Sequence, residues 1–188
     1  MPVHRFSYTL AAVAACQGDP APATAVARPS IEVVAGTTTV AKVIPGHPCR
    51  VTIAGIDLQV GGPPLVATVG NVRWTAESGS NGTTFRKNDE PVARIHANQL
   101  FDAQGIPLVK VAEDGSIANG PGRVVRKATV VAGYAPKVEI KTMIKQAADE
   151  ATVTNTDDIV LASLLAAPEA DPTLRGLVAC HLLQAKGT

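Results

Sequence analysis

The sequence predicts a mainly β, α+β fold: an antiparallel β-meander, roll or sandwich with a C-terminal helical hairpin. Two observations predict the sheet. From Ile31 to about Ala132, short runs rich in Val, Ile and Thr are cut by Gly, Pro, Asn and Asp, the pattern of strands joined by turns. No long helical period interrupts them. A third observation predicts the helices: beyond Tyr134 the pattern changes, and two segments carry capping residues at one end and a breaker at the other.

The expected strands are Ile31 to Val34, Thr38 to Ile44, Cys49 to Ile53, Ile56 to Val60, Leu65 to Val69, Val72 to Ala76, Thr83 to Arg86, Val92 to Ile95, Leu108 to Val111 and Val124 to Val131. Gly61-Gly62-Pro63-Pro64, Asn81-Gly82, Asp102 to Gly105, Asp114-Gly115 and Asn119 to Gly122 supply turns, with residues that tolerate or impose the required φ. Segments led by Pro64, Pro91, Pro107 and Arg123 look alike, the last three sixteen residues apart. They read either as a repeated meander with a binding face or simply as Pro-led strands in a Val-rich chain.

Lys137 to Lys145 alternates apolar and polar residues and fits a final strand, although Thr142 to Glu150 fits a helix equally well. Thr156 or Asn155 is expected to cap a helix with Asp157 and Asp158 in its first turn, running to Ala167 and ending at Pro168. Asp171 then caps a second helix with Pro172 in the first turn, where its missing N–H costs nothing, and Lys186-Gly187 closes it. Leu174, Leu177, Val178, His181 and Leu182 recur at three and four in that helix and predict one apolar face.

A length of 188 residues fits a single domain. The chain is 46% hydrophobic but only 3% aromatic, so Val, Ile, Leu and Ala must fill the core. Seventeen basic residues stand against sixteen acidic ones. That balance argues against nucleic-acid partners, which need a concentrated basic face.

The N-terminus carries the sharpest signal. Met1 to Arg5 is a short basic start, Phe6 to Ala15 is mostly apolar, and the stretch ends in Val13-Ala14-Ala15-Cys16. The apolar run has signal-peptide length and falls short of the ~20 residues that span a bilayer. Val13-Ala14-Ala15-Cys16 resembles the lipobox of bacterial lipoproteins: an aliphatic residue, two small residues and the obligatory cysteine. The resemblance implies cleavage before Cys16, diacylation of its thiol and acylation of the new amine. It divides the chain into a signal peptide at 1–15, a lipidated Cys16 with an Ala/Pro-rich linker to Ser30, and a β-rich domain at 31–188 with helices from about 155. Gln17 follows the cysteine, and the resemblance leans toward the outer membrane rather than inner-membrane retention. The expected location is the bacterial cell envelope, on the periplasmic side or the outer membrane. The expected partners are the membrane, through the lipid, and an envelope protein.

With Cys16 taken by lipid, Cys49 and Cys180 remain. In an oxidising compartment they are candidates for a disulfide, against two separate buried thiols. A histidine stands beside each, so His47, Cys49, Cys180 and His181 form an alternative metal set suited to Zn²⁺ or Cu. Adjacent Cys180 and His181 point about 100° apart on a helix, which makes joint ligation awkward. No metal or other cofactor is expected.

No nucleophile elbow, Ser-x-x-Lys, P-loop or dinucleotide fingerprint occurs. Asp89, Glu90, Asp102, Glu113 and Asp114 lie beside turns, where carboxylates cap locally. No catalytic residue is assigned, and Trp74 reads as core. The chain therefore reads as a membrane-anchored, non-enzymatic binding or assembly module. The alternatives are an envelope hydrolase whose acids meet only in the fold, and a soluble intracellular protein with an accidental lipobox.

Overall fold

In the computed structural model, which describes residues 28–120, 122–143 and 150–187, burial follows period two along most strands. In Cys49–Ile53, for example, Cys49, Val51 and Ile53 are buried while Arg50 and Thr52 face water, because successive strand side chains point to opposite sides. The chain is mainly β. Its strands are β1 (Ile31–Ala35), β2 (Thr38–Ile44), β3 (Cys49–Ile53), β4 (Ile56–Val60), β5 (Leu65–Val69), β6 (Val72–Gly79), β7 (Gly82–Lys87), β8 (Glu90–His96), β9 (Gln99–Asp102), β10 (Pro107–Val111), β11 (Ser116–Asn119), β12 (Arg123–Val131), β13 (Lys137–Thr142) and β14 (Ala151–Thr154). Two helices follow, α1 (Ile159–Leu165) and α2 (Pro172–Ala185).

Among the described residues, the fourteen strands belong to one antiparallel sheet in the order β4-β3-β2-β1-β14-β13-β12-β11-β10-β9-β8-β7-β6-β5. A single sheet replaces the sandwich alternative. Every neighbour is also a sequence neighbour except β1 and β14, which pair through Glu32–Thr154 to Ala35–Ala151. The sheet edges are β4 and β5, consecutive in the chain, and the Gly61 N–H donates to the Val66 carbonyl at 2.9 Å across them. The meander is thus nearly closed into a barrel, which leaves little unpaired edge.

Barrel width grows with strand number, and about eight strands already give the widest interior that side chains alone can fill. Here the helices fill the remainder. α2 packs on β2 to β5 and α1 on β10, β12 and β13, so the pair lies in the space the sheet curls around. Thr173, Leu174, Gly176, Leu177, Val178, Ala179 and Cys180 are all buried. That overturns the expected single apolar face: an enclosed helix is buried all round. Lys186 at the end of α2 reaches Asp158 at the start of α1 at 2.7 Å, so the helices run antiparallel. Outward positions on the strands carry Lys42, Thr52, Asp57, Gln59, Arg73, Lys110 and Lys141 beside a few exposed apolar residues such as Ile44, Val124 and Val130.

Asp171 caps α2 as expected, accepting from the Thr173 and Leu174 N–H groups. The α1 cap falls later than expected, at Asp158, whose carboxylate accepts from Val160 and Leu161. Thr156 instead accepts from the Asp158 N–H at 3.1 Å. The helix also ends early, at Leu165 with Ala166 as its C-cap. Strands β9, β11 and β14 each have four residues, too few for alternation to stand out beside their turns. The look-alike segments sixteen apart form β8, β10 and β12, every second strand of the meander. Lys137 to Thr142 is a strand, and the rest of the segment to Lys145 lies mostly outside the described residues.

Candidate functional site

The best-built feature of the interior is where α2 meets β3 and β4. Four residues along a helix rise about 6 Å and two along a strand about 6.6 Å, so Gly176 and Cys180 on α2 can face Val51 and Cys49 on β3 in step. Cys49 and Cys180 form a disulfide, with S–S 2.00 Å and Cα–Cα 5.9 Å, across 131 residues of chain. Both are fully buried. The metal set is thereby overturned, because both its sulfurs are spent in the bridge. Among the described residues, no three His, Cys, Asp or Glu gather to hold an ion.

Gly176 permits the approach. A methyl there would lie 2.7 Å from Leu58 Cδ1 and 3.2 Å from Val51 Cγ1. Glycine inside a helix normally costs about 0.5–1 kcal/mol relative to alanine, but overpacking costs about 1–3 kcal/mol. Gly176→Ala is therefore expected to lose about 1 kcal/mol net and Gly176→Leu about 3 kcal/mol. Urea unfolding followed by Trp74 fluorescence checks this, and a stabilised alanine variant would contradict the close contact.

Beside the disulfide lies a cavity of about 320 Å³, at the lower end of ligand-pocket sizes. Pro63, Pro64, Leu65 and Ala76 give it apolar walls, and His47, His181 and Gln184 supply polar groups, with exposed Glu77 and Ser78 beside them. It straddles the β4–β5 seam, where the sheet is least closed. Gln184 brings a buried amide nitrogen that has no hydrogen-bond partner.

His181 is the best-placed titratable group there. Its Nε2 lies 3.0 Å from Thr83 Oγ1, and Thr83 Oγ1 lies 3.0 Å from Ser78 Oγ. The Phe85 ring meets the imidazole edge-on at 6.1 Å. Burial pushes the His181 pKa below its ordinary 6.5, so the ring is neutral at neutral pH. Among the described residues no carboxylate is bonded to it; Glu77 instead faces Arg86 at 3.5 Å. A hydroxyl chain ending on a histidine with no orienting acid lacks the third member of a hydrolytic triad. Among the described residues the cavity also holds one carboxylate, Glu77, rather than the two that glycoside hydrolysis uses.

Between the folded value and 6.5 the unfolded chain binds more protons at His181 than the folded chain, so stability falls as pH drops below 6.5. His181→Gln keeps a hydrogen-bonding side chain and is expected to flatten the fall in urea midpoint between about pH 7.5 and 5.5. An unchanged slope would remove His181 as its source.

Cys16 lies outside the described residues. His96 is exposed at the end of β8. Asp102 accepts from the Gln104 and Ile106 N–H groups, and Asp114 from the Ser116 N–H and hydroxyl and from Lys127. The bonds from Ser116, with Lys127 adding to them, hold Asp114 down at about 2. Trp74 is core at 5% exposure. Sequence reasoning missed the seam cavity, the Thr83–His181 contact and a buried Arg126–Glu169 ion pair. Their partners are 98 and 43 residues apart for the latter two, beyond any local motif. No protein-family model, curated protein or solved structure matches the chain.

Proposed function

We propose that this chain is a lipoprotein of the bacterial cell envelope, anchored through Cys16, whose β-rich body serves as a non-enzymatic binding or assembly module. The observation that carries the reading is the buried Cys49–Cys180 disulfide. Structural disulfides persist in oxidising compartments and are rare in the cytosol, which favours export over an intracellular role. The bridge also takes two of the three cysteines, leaving Cys16 as the thiol available for acylation. Two or more acyl chains anchor stably, at about 0.8 kcal/mol per buried CH₂, where one chain is marginal. The Ala/Pro-rich stretch before β1 would hold the barrel clear of the bilayer.

Radiolabelled palmitate fed to an expressing bacterium tests the reading. The native chain is expected to take up label and to enter the detergent phase, and Cys16→Ser to do neither. Equal labelling of both, or of neither, would overturn it.

A further inference from the structure

We propose that Arg175 binds a compact oxyanion, phosphate or carboxylate, in an open cavity at the end of the barrel opposite the disulfide, with Thr39 and Lys42 completing the contacts. The cavity measures about 340 Å³ and is lined by residues of β2, β3 and the β3–β4 turn together with Arg175 of α2. Among the described residues no carboxylate lies on its wall.

Arg175 is only partly exposed and poorly satisfied. Its guanidinium offers five N–H donors, yet among the described residues its one hydrogen bond is a long one, Nη1 to the Leu165 carbonyl at 3.4 Å, and its buried Nε has no partner there. Among the described residues no carboxylate lies within ion-pair distance of it. Asp171 and Glu169 act on it only through longer-range attraction, and burial outweighs them. Arg126 is buried and its Nε likewise has no partner among the described residues, but its charge is paired with Glu169.

An unpaired, desolvated cation is costly, and its planar fork suits the paired oxygens of carboxylate or phosphate. Two acids bonded to residues of the cavity wall are engaged there: Glu32 holds Lys42 at 2.9 Å, and Asp57 accepts from Thr52 at 2.7 Å. Glu150 lines the smaller adjoining cavity, which also touches Arg175 and Arg126. Lys42 keeps further donors beyond its one ion pair. This inference is independent of the lipid anchor.

The test uses the full chain carrying Cys16→Ser, titrated with inorganic phosphate and separately with acetate against chloride at equal ionic strength, with unfolding followed through Trp74. A bound anion raises Tm saturably. The expected result is a saturable rise with at least one anion, and at least tenfold weaker binding in Arg175→Gln. Phosphate alone would identify a tetrahedral ligand, acetate alone a planar one. Should Arg175→Gln fail to fold, the exposed-side variants Thr39→Val and Lys42→Gln are each expected to weaken binding about threefold or more. No saturable rise with either anion, equal binding by Arg175→Gln, or full affinity in both exposed-side variants would overturn the proposal.

Discussion

Replacing both Cys49 and Cys180 by alanine is expected to lower the unfolding free energy by about 3–5 kcal/mol, since the bridge closes 131 residues of chain. Chain-entropy arguments give about 5 kcal/mol for a loop that long, and measured losses usually fall below that limit. The bridge ties β3 to α2, so its loss also releases the C-terminal part of the barrel filling. A urea midpoint from Trp74 fluorescence, compared with and without reductant, measures the effect. A loss under about 1 kcal/mol would mean that helix packing alone holds α2 in place.

The second large effect is expected at Glu169. It follows α1 and accepts from Arg126, whose side chain is 6% exposed on the inner wall of β12. Glu169→Ala strands a buried guanidinium, and breaking such a pair from one side costs about 3–5 kcal/mol. Replacing both, Arg126→Met with Glu169→Leu, is expected to recover most of that loss, because an apolar pair pays no desolvation. Urea unfolding of the native chain and the two variants measures this. A double variant as unstable as Glu169→Ala would show that the site needs the ions themselves.

Much of the fold is legible in the sequence where the physics is local. Strands such as β3, β4 and β7 alternate cleanly, and Asp171-Pro172 announces its helix because capping and the proline restriction act within one turn. The α1 cap is misplaced because Thr156, Asp157 and Asp158 are all competent, and only the packing of Leu161, Leu164 and Leu165 selects among them. Barrel closure is not legible. It depends on β1 meeting β14 across more than a hundred residues, and no local pattern states that pairing.

The candidate site divides in the same way. Cys49 and Cys180 are visible as a pair because so few cysteines are present, and the bridge between them is formed. The enclosure of α2 is hidden, because the all-round burial that places Gly176, Cys180 and His181 against the sheet comes from the barrel rather than from the helix. Arg126, Glu169 and Arg175 look like ordinary surface charges in sequence. They acquire their character only when the barrel end removes them from water.

The most direct measurement is the intact mass of the native protein purified from bacterial membranes, beside its Cys16→Ser form. The account predicts a chain that begins at Cys16, carries the added mass of its acyl groups, and lacks the two hydrogens lost in forming the Cys49–Cys180 bridge. A chain that keeps residues 1–15, carries no lipid and has three free thiols would contradict both the export and the anchor.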